Sequence, residues 1–155
     1  MRYKLIGGAV ILAAAFFLSY VLNEKEKEKL EKIEGLAALL RFFRIQIDCF
    51  CTPVGEIFRR CDEKVLFSCG FLGIPRDFDE FLAKTSFPPE ADALLSSFSA
   101  ELGTSFREEQ LKSCDYHIQK LCELRDSTAE KTKKQIRLNT TLCLTAAATA
   151  VILLL

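Results

Sequence analysis

Apolar residues crowd at the two ends of this chain, and charged residues lie between them. Residues 5–22 carry no charge, and their only polar side chains are Ser19 and Tyr20. Residues 138–155 are also uncharged, with Asn139, Thr140 and Thr141 gathered at their start. Each stretch makes a helix about 27 Å long, close to the ~30 Å hydrocarbon core of a bilayer. A domain this small cannot easily bury two such stretches that are apolar all round, so both predict transmembrane helices. Arg2 and Lys4 precede the first as they would in a secretory signal. That run ends Ser19-Tyr20-Val21-Leu22-Asn23, however, bulky where a cleavage site needs small residues, and it reads as an uncleaved anchor. In the second, Thr145 and Thr149 can bond back to helix carbonyls, and Ala146, Ala147, Ala148 and Ala150 suit close packing on a neighbouring helix.

Between the anchors the period is helical. Leu30, Ile33, Ala37, Leu40, Ile47 and Phe50 recur at three- and four-residue steps or their sum, which predicts one amphipathic face. Charges alternate from Glu24 to Lys32, the mark of an exposed helical stretch more than of a partner-binding stalk. Thr52-Pro53 predicts a break, with the threonine capping and the proline opening a second helix to about Cys69. Val54, Ile57, Phe58, Cys61 and Val65 would face inward from it. Gly70, Gly73 and Pro75 mark a turn region, and a short helix follows with Phe78, Phe81 and Leu82 on one side. Phe87-Pro88-Pro89 ends that helix and starts another, with Ala91, Leu94, Leu95, Phe98 and Leu102 as its apolar positions. Gly103 predicts a helix stop. Ser105 with Glu108 predicts a capping box that opens the last helix, which buries Leu111, Cys114, Ile118, Leu121 and Leu124. The predicted fold is therefore all-α: a helical bundle over residues 24–137, two long helices with a short-helix cap between them, flanked by transmembrane anchors at 1–23 and 138–155.

Charge settles the expected orientation. Lys25, Lys27, Lys29 and Lys32 follow the first span, and Lys131, Lys133, Lys134 and Arg137 precede the second. Only Arg2 and Lys4 lie on the other side. The excess places the central domain in the cytoplasm of a two-pass protein. Over the whole chain 21 basic residues balance 21 acidic ones, which argues against nucleic acid as a partner.

The seven cysteines show no C-x-x-C spacing, and an odd number does not suit a secreted disulfide framework. They read as small buried hydrophobes in a reducing compartment. No phosphate-binding glycine loop is present, and Gly7-Gly8 lies inside the first span. The single histidine, His117, reads as a surface or half-buried residue just before Ile118, and Cys114 with His117 is the nearest approach to a metal pair. No catalytic residue, cofactor, metal or small-molecule substrate is expected, and the chain does not read as an enzyme.

Three local stretches resemble stage III sporulation protein AB. They are the helix leading to Thr52-Pro53, the run Ala100-Glu101-Leu102-Gly103-Thr104-Ser105 followed by Gln110, and the basic-to-aliphatic passage over residues 133–155. Phe106 departs from the pattern, standing where the family would place an aspartate. The resemblance implies an antiparallel bundle of about six helices, similar to the F-type platform domain of type II secretion systems. It implies a membrane platform or assembly subunit, without enzymatic activity, in a complex joining mother cell and forespore. The chain would then sit in the mother-cell membrane facing the forespore and couple to a cytoplasmic ATPase, stage III sporulation protein AA, and to other subunits of the same complex. Glu101, Gly103, Ser105 and Gln110 are the candidate partner contacts, being the most family-like residues on a connection between helices. The rival reading is a generic two-anchor scaffold or coiled-coil linker with no secretion role. Its continuous heptads would have to run through residues 24–51 and 105–137, and the interrupted pattern from Thr52 to Gly103 argues against a simple coiled coil.

Overall fold

The structure is a computed structural model that describes the backbone of residues 2–154 and the side chains of residues 7, 8 and 10–152. Among these it is all-helical. Six α-helices, α1 (Arg2–Cys49), α2 (Val54–Ile57), α3 (Glu63–Ser68), α4 (Phe78–Lys84), α5 (Pro89–Glu101) and α6 (Arg107–Leu154), are joined by one 3-10 turn, Phe58–Arg60, and short connections. The contacts divide the chain into a terminal unit, Met1–Glu28 with Ala129–Leu155, and a central unit, Lys29–Thr128. Helices α1 and α6 contribute to both.

The central unit is built on phenylalanine. Phe43 of α1 is fully buried and meets Phe58, Phe78 and Phe98 edge-on, at centroid distances of 5.0, 5.7 and 6.3 Å. Phe81 extends the cluster to Phe71 and Phe87. Ile33, Leu36, Leu39 and Leu40 from α1, Leu95 from α5 and Leu121 from α6 close around it. Edge-to-face geometry sets the positive rim of one ring against the negative face of the next, adding about 0.5–1.5 kcal/mol per pair to the burial of the rings. The α1 and α6 segments run antiparallel here. Arg44 pairs with Asp115 at 2.6 Å, and Arg107 pairs with Asp48 at 2.8 Å. Gly35 lets α3 lie directly on α1, because a Cβ at that position would stand 2.9 Å from the Ser68 carbonyl carbon.

Several local expectations are corrected. The helix expected over residues 53–69 is two helices and a 3-10 turn. Cys61 turns extended, and the Asp62 carboxylate accepts the Lys64 N–H at 2.9 Å to cap a new start. The inward positions Ile57, Phe58 and Cys61 are nevertheless buried. Thr52 caps nothing in α2, because its hydroxyl donates to Gln46 Oε1 at 2.9 Å and accepts from Arg60. Phe50 leaves the buried stripe because α1 ends at Cys49, and its ring is 61% exposed. The Ser105–Glu108 capping box does not form. Helix α6 starts at Arg107, with the Phe106 carbonyl accepting the Gln110 N–H. Reciprocal capping occurs instead at α4, where the cap Asp77 accepts the Glu80 N–H at 2.7 Å and Glu80 reaches back to the N–H of Arg76, one residue before the cap, at 2.8 Å.

Just beyond α1, Cys51 adopts φ +48°, left-handed backbone in a residue other than glycine. A side chain there costs about 1–2 kcal/mol, whereas glycine adopts it freely but loses more chain entropy on folding. Cys51→Gly is expected to raise stability by about 0.5–1 kcal/mol, read as a higher denaturant midpoint of the full chain in detergent. A lower midpoint would mean that the thiol makes a stabilising contact.

In the terminal unit the two segments are held by a polar rung. Ser19 donates to Thr140 Oγ1 at 3.3 Å, Asn23 Nδ2 donates to the same oxygen at 3.3 Å, and Asn139 Nδ2 donates to Asn23 Oδ1 at 3.4 Å. Around it the surface is apolar: Phe16, Phe17, Leu18, Leu138, Leu142 and Ile152 all point outward. Among the described residues, no helix is long and apolar enough to cross a membrane. The two spans expected at 5–22 and 138–155 include residues 5, 6, 9 and 153–155, whose side chains lie outside the described ones.

Candidate functional site

The corner between α5 and α6 brings all four candidate contact residues together, and most of their polar groups are already engaged. Helix α5 ends at Glu101, and Gly103 takes φ +78°, the left-handed conformation of a helix stop. The Glu101 carbonyl accepts from the Thr104 hydroxyl at 2.8 Å, and its carboxylate accepts from the Ser113 hydroxyl of α6. The Gln110 amide donates to the Ser105 carbonyl at 2.7 Å, folding the first turn of α6 back on the connection. Glu101, Gly103, Ser105 and Gln110 thus shape the corner. Glu101 and Gly103 are exposed, while Ser105 and Gln110 are half-buried.

Among its exposed polar residues the corner also turns a large apolar side chain outward. Phe106, at the position where the family pattern would place an aspartate, is 86% exposed. Arg107 donates to the Ile47 carbonyl at 3.3 Å and to the Asp48 carbonyl, gripping the last turn of α1, whose free carbonyls carry partial negative charge. That grip brings Phe50 to the same end of the central unit as Phe106. Sequence reasoning missed Phe50, since its place in a period-3.6 row signals burial and nothing in the row announces that the helix stops one residue earlier.

His117 is buried, not surface or half-buried, at 1% exposure. Its ring packs edge-on against Phe98 at 5.3 Å. Nδ1 lies 2.8 Å from the Ser113 carbonyl, which can only accept, so Nδ1 carries the hydrogen. Ser113 thereby links His117 to the Glu101 carboxylate at the corner.

Three cysteines are buried in the central unit. Burial pushes the thiols of Cys61 and Cys114 up to about 11 and that of Cys69 up to about 12, from an ordinary value of 9.0. The folded state thus favours the neutral thiol. The stability this contributes is present below pH 9 and is lost as pH rises from 9 towards 11–12. Cys49 and Cys51 are exposed. Iodoacetamide at pH 8 is expected to label these two and spare Cys61, Cys69 and Cys114 until the chain is unfolded, as read by mass spectrometry. Equal labelling of all five would contradict the packing described.

The model of the stage III sporulation protein AB family matches residues 74–155, just over half of the chain. The chain belongs to the stage III sporulation protein AB family. Membership implies a sporulation-related role. The matched part of this stage III sporulation protein AB family member takes in α4, α5 and α6, and so the whole of the corner. Helices α1–α3 lie outside it. No curated protein and no solved structure matches the chain.

Proposed function

We propose that this chain is a non-enzymatic, two-pass membrane platform subunit of a sporulation-specific, type II secretion-like complex between mother cell and forespore. Its central unit faces the cytoplasm and couples to an ATPase, stage III sporulation protein AA, with the other subunits of that complex as neighbours. The observation that carries this reading is the surface of the terminal unit. Phe17 is 70% and Ile152 is 73% exposed, on a helix pair whose polar side chains Ser19, Asn23, Asn139 and Thr140 turn to one another instead of to solvent. An aqueous protein rarely leaves so large an apolar surface open, whereas a bilayer stabilises it. The basic residues next to both apolar stretches support the cytoplasmic placement. Likeness of the central unit to an F-type platform domain rests on the family resemblance and on the all-helical fold.

The docking surface is the α5–α6 corner. Glu101, Gly103, Ser105 and Gln110 set its shape, and Phe106 and Phe50 supply the apolar contact. Two experiments test the proposal. Membranes from sporulating cells washed with alkaline carbonate should retain the chain and release it only to detergent; release by carbonate would overturn the membrane reading. Tagged full-length chain should recover the ATPase from detergent extracts, and Phe50→Ser with Phe106→Ser should abolish the recovery. Undiminished recovery by that variant, or by Glu101→Ala with Gln110→Ala, would remove the corresponding residues from the docking surface.

A further inference from the structure

In the terminal unit the paired segments of α1 and α6 part along one side and leave an apolar groove of about 370 Å³. Ile11, Ala15 and Leu18 line it from α1, and Leu142, Ala146 and Ala150 line it from α6. Residues three and four apart share a helix face, so each wall can be followed along its own helix. From Leu18 the α1 wall continues through Leu22 to Lys25. From Leu142 the α6 wall continues through Leu138 to Lys134, with Lys131 one turn further. Ser19 lies opposite Thr140, and six residues from each in the same direction stand Lys25 and Lys134, which are therefore level. At 1.5 Å per residue the two lysines lie about 10 Å beyond the groove. Between them and the groove lies the polar rung of Ser19, Asn23, Asn139 and Thr140. Lys25, Lys131 and Lys134 are exposed, and among the described residues none of the three makes an ion pair.

Hydrocarbon, a hydrogen-bonding level and exposed lysines thus succeed one another along the helix pair, in the order of the parts of a phospholipid. The geometry points to a binding site for one anionic glycerophospholipid, with an acyl chain in the groove, the ester region beside the polar rung and the phosphate among Lys25, Lys131 and Lys134. A third apolar helix would fill the groove but make no use of the exposed lysines beyond it. An anionic headgroup satisfies both, since juxtamembrane lysines attract anionic lipid. The inference rests on the membrane reading above.

Full-length chain purified in mild detergent and offered an equal mixture of dioleoylphosphatidylglycerol and dioleoylphosphatidylcholine tests it, with bound lipid counted by native mass spectrometry. The expected result is several-fold preference for phosphatidylglycerol. That preference should disappear in a variant with Lys25, Lys131 and Lys134 all changed to Gln. Ala146→Phe, at an exposed position where the ring would plug the groove, should lower retention of both lipids. Equal retention by the unaltered chain, a preference that survives the lysine changes, or undiminished binding by Ala146→Phe each overturns the site. Recovery as a lipid-free dimer assigns the groove to a second copy and also overturns it. If the site fails while the chain still needs detergent to stay in solution, the membrane reading stands. A chain recovered intact in water without detergent overturns both.

Discussion

Phe43→Ala is expected to lower the stability of the folded chain by about 3–5 kcal/mol. The ring is completely buried at the meeting point of α1, α4, α5 and the 3-10 turn, and it touches three other rings edge-on. Truncation removes the transfer energy of the ring and three aromatic contacts, and it leaves a cavity whose walls come from four elements that cannot all close in. With about 5–15 kcal/mol holding a typical domain, that is enough to unfold much of the population under mild denaturant. Far-ultraviolet circular dichroism of the full chain in detergent against urea reads the change as a lower midpoint. Phe67→Ala is the control, because that ring is exposed, and it should shift stability by less than about 0.5 kcal/mol. Equal shifts for the two variants would mean that the phenylalanine cluster is not the core.

The second large effect is expected at Gly35. Alanine is favoured over glycine inside a helix by about 1 kcal/mol, so on propensity alone Gly35→Ala should stabilise α1. The structure reverses the sign. The added Cβ would stand 2.6 Å from Ser68 Oγ, 2.9 Å from the Ser68 carbonyl carbon and 3.0 Å from its oxygen. Two of those three atoms are backbone, so α3 has to move off α1, and overpacking of this kind costs about 1–3 kcal/mol. Ser68→Ala removes only the hydroxyl. The double variant should therefore remain destabilised, and a full rescue by Ser68→Ala would show that the close approach is through the side chain alone.

Helix content and the inward-facing residues were legible in the sequence because burial imposes period. Phe78 and Phe81 in α4, Ala91, Leu95 and Phe98 in α5, and Cys114 and Leu121 in α6 all occupy the core positions their spacing predicts. The ends of elements were harder to read, since they turn on competition between neighbouring polar groups. Ser105 and Asp77 both precede a glutamate by three residues, and only Asp77 becomes a cap. At the other site the Gln110 side chain binds the Ser105 carbonyl and the helix begins beyond it. Thr52 was lost as a cap in the same way, to Gln46, a residue six positions earlier that no local pattern connects with it. His117 escaped because its burial depends on Phe98, nineteen residues away on another helix. In the candidate site the residues that shape the corner could be found from motif likeness, while the exposure of Phe50 and Phe106 depends on where two helices happen to stop and start.

Clean deletion of the gene in its endospore-forming host, scored by the yield of heat-resistant spores and by microscopy of the stage reached, is the decisive measurement of the sporulation role. The expected result is loss of heat-resistant spores with a block after engulfment, restored by the intact gene and not by a copy carrying Phe50→Ser and Phe106→Ser. Normal spore yield from the deletion strain would contradict a role in the sporulation complex.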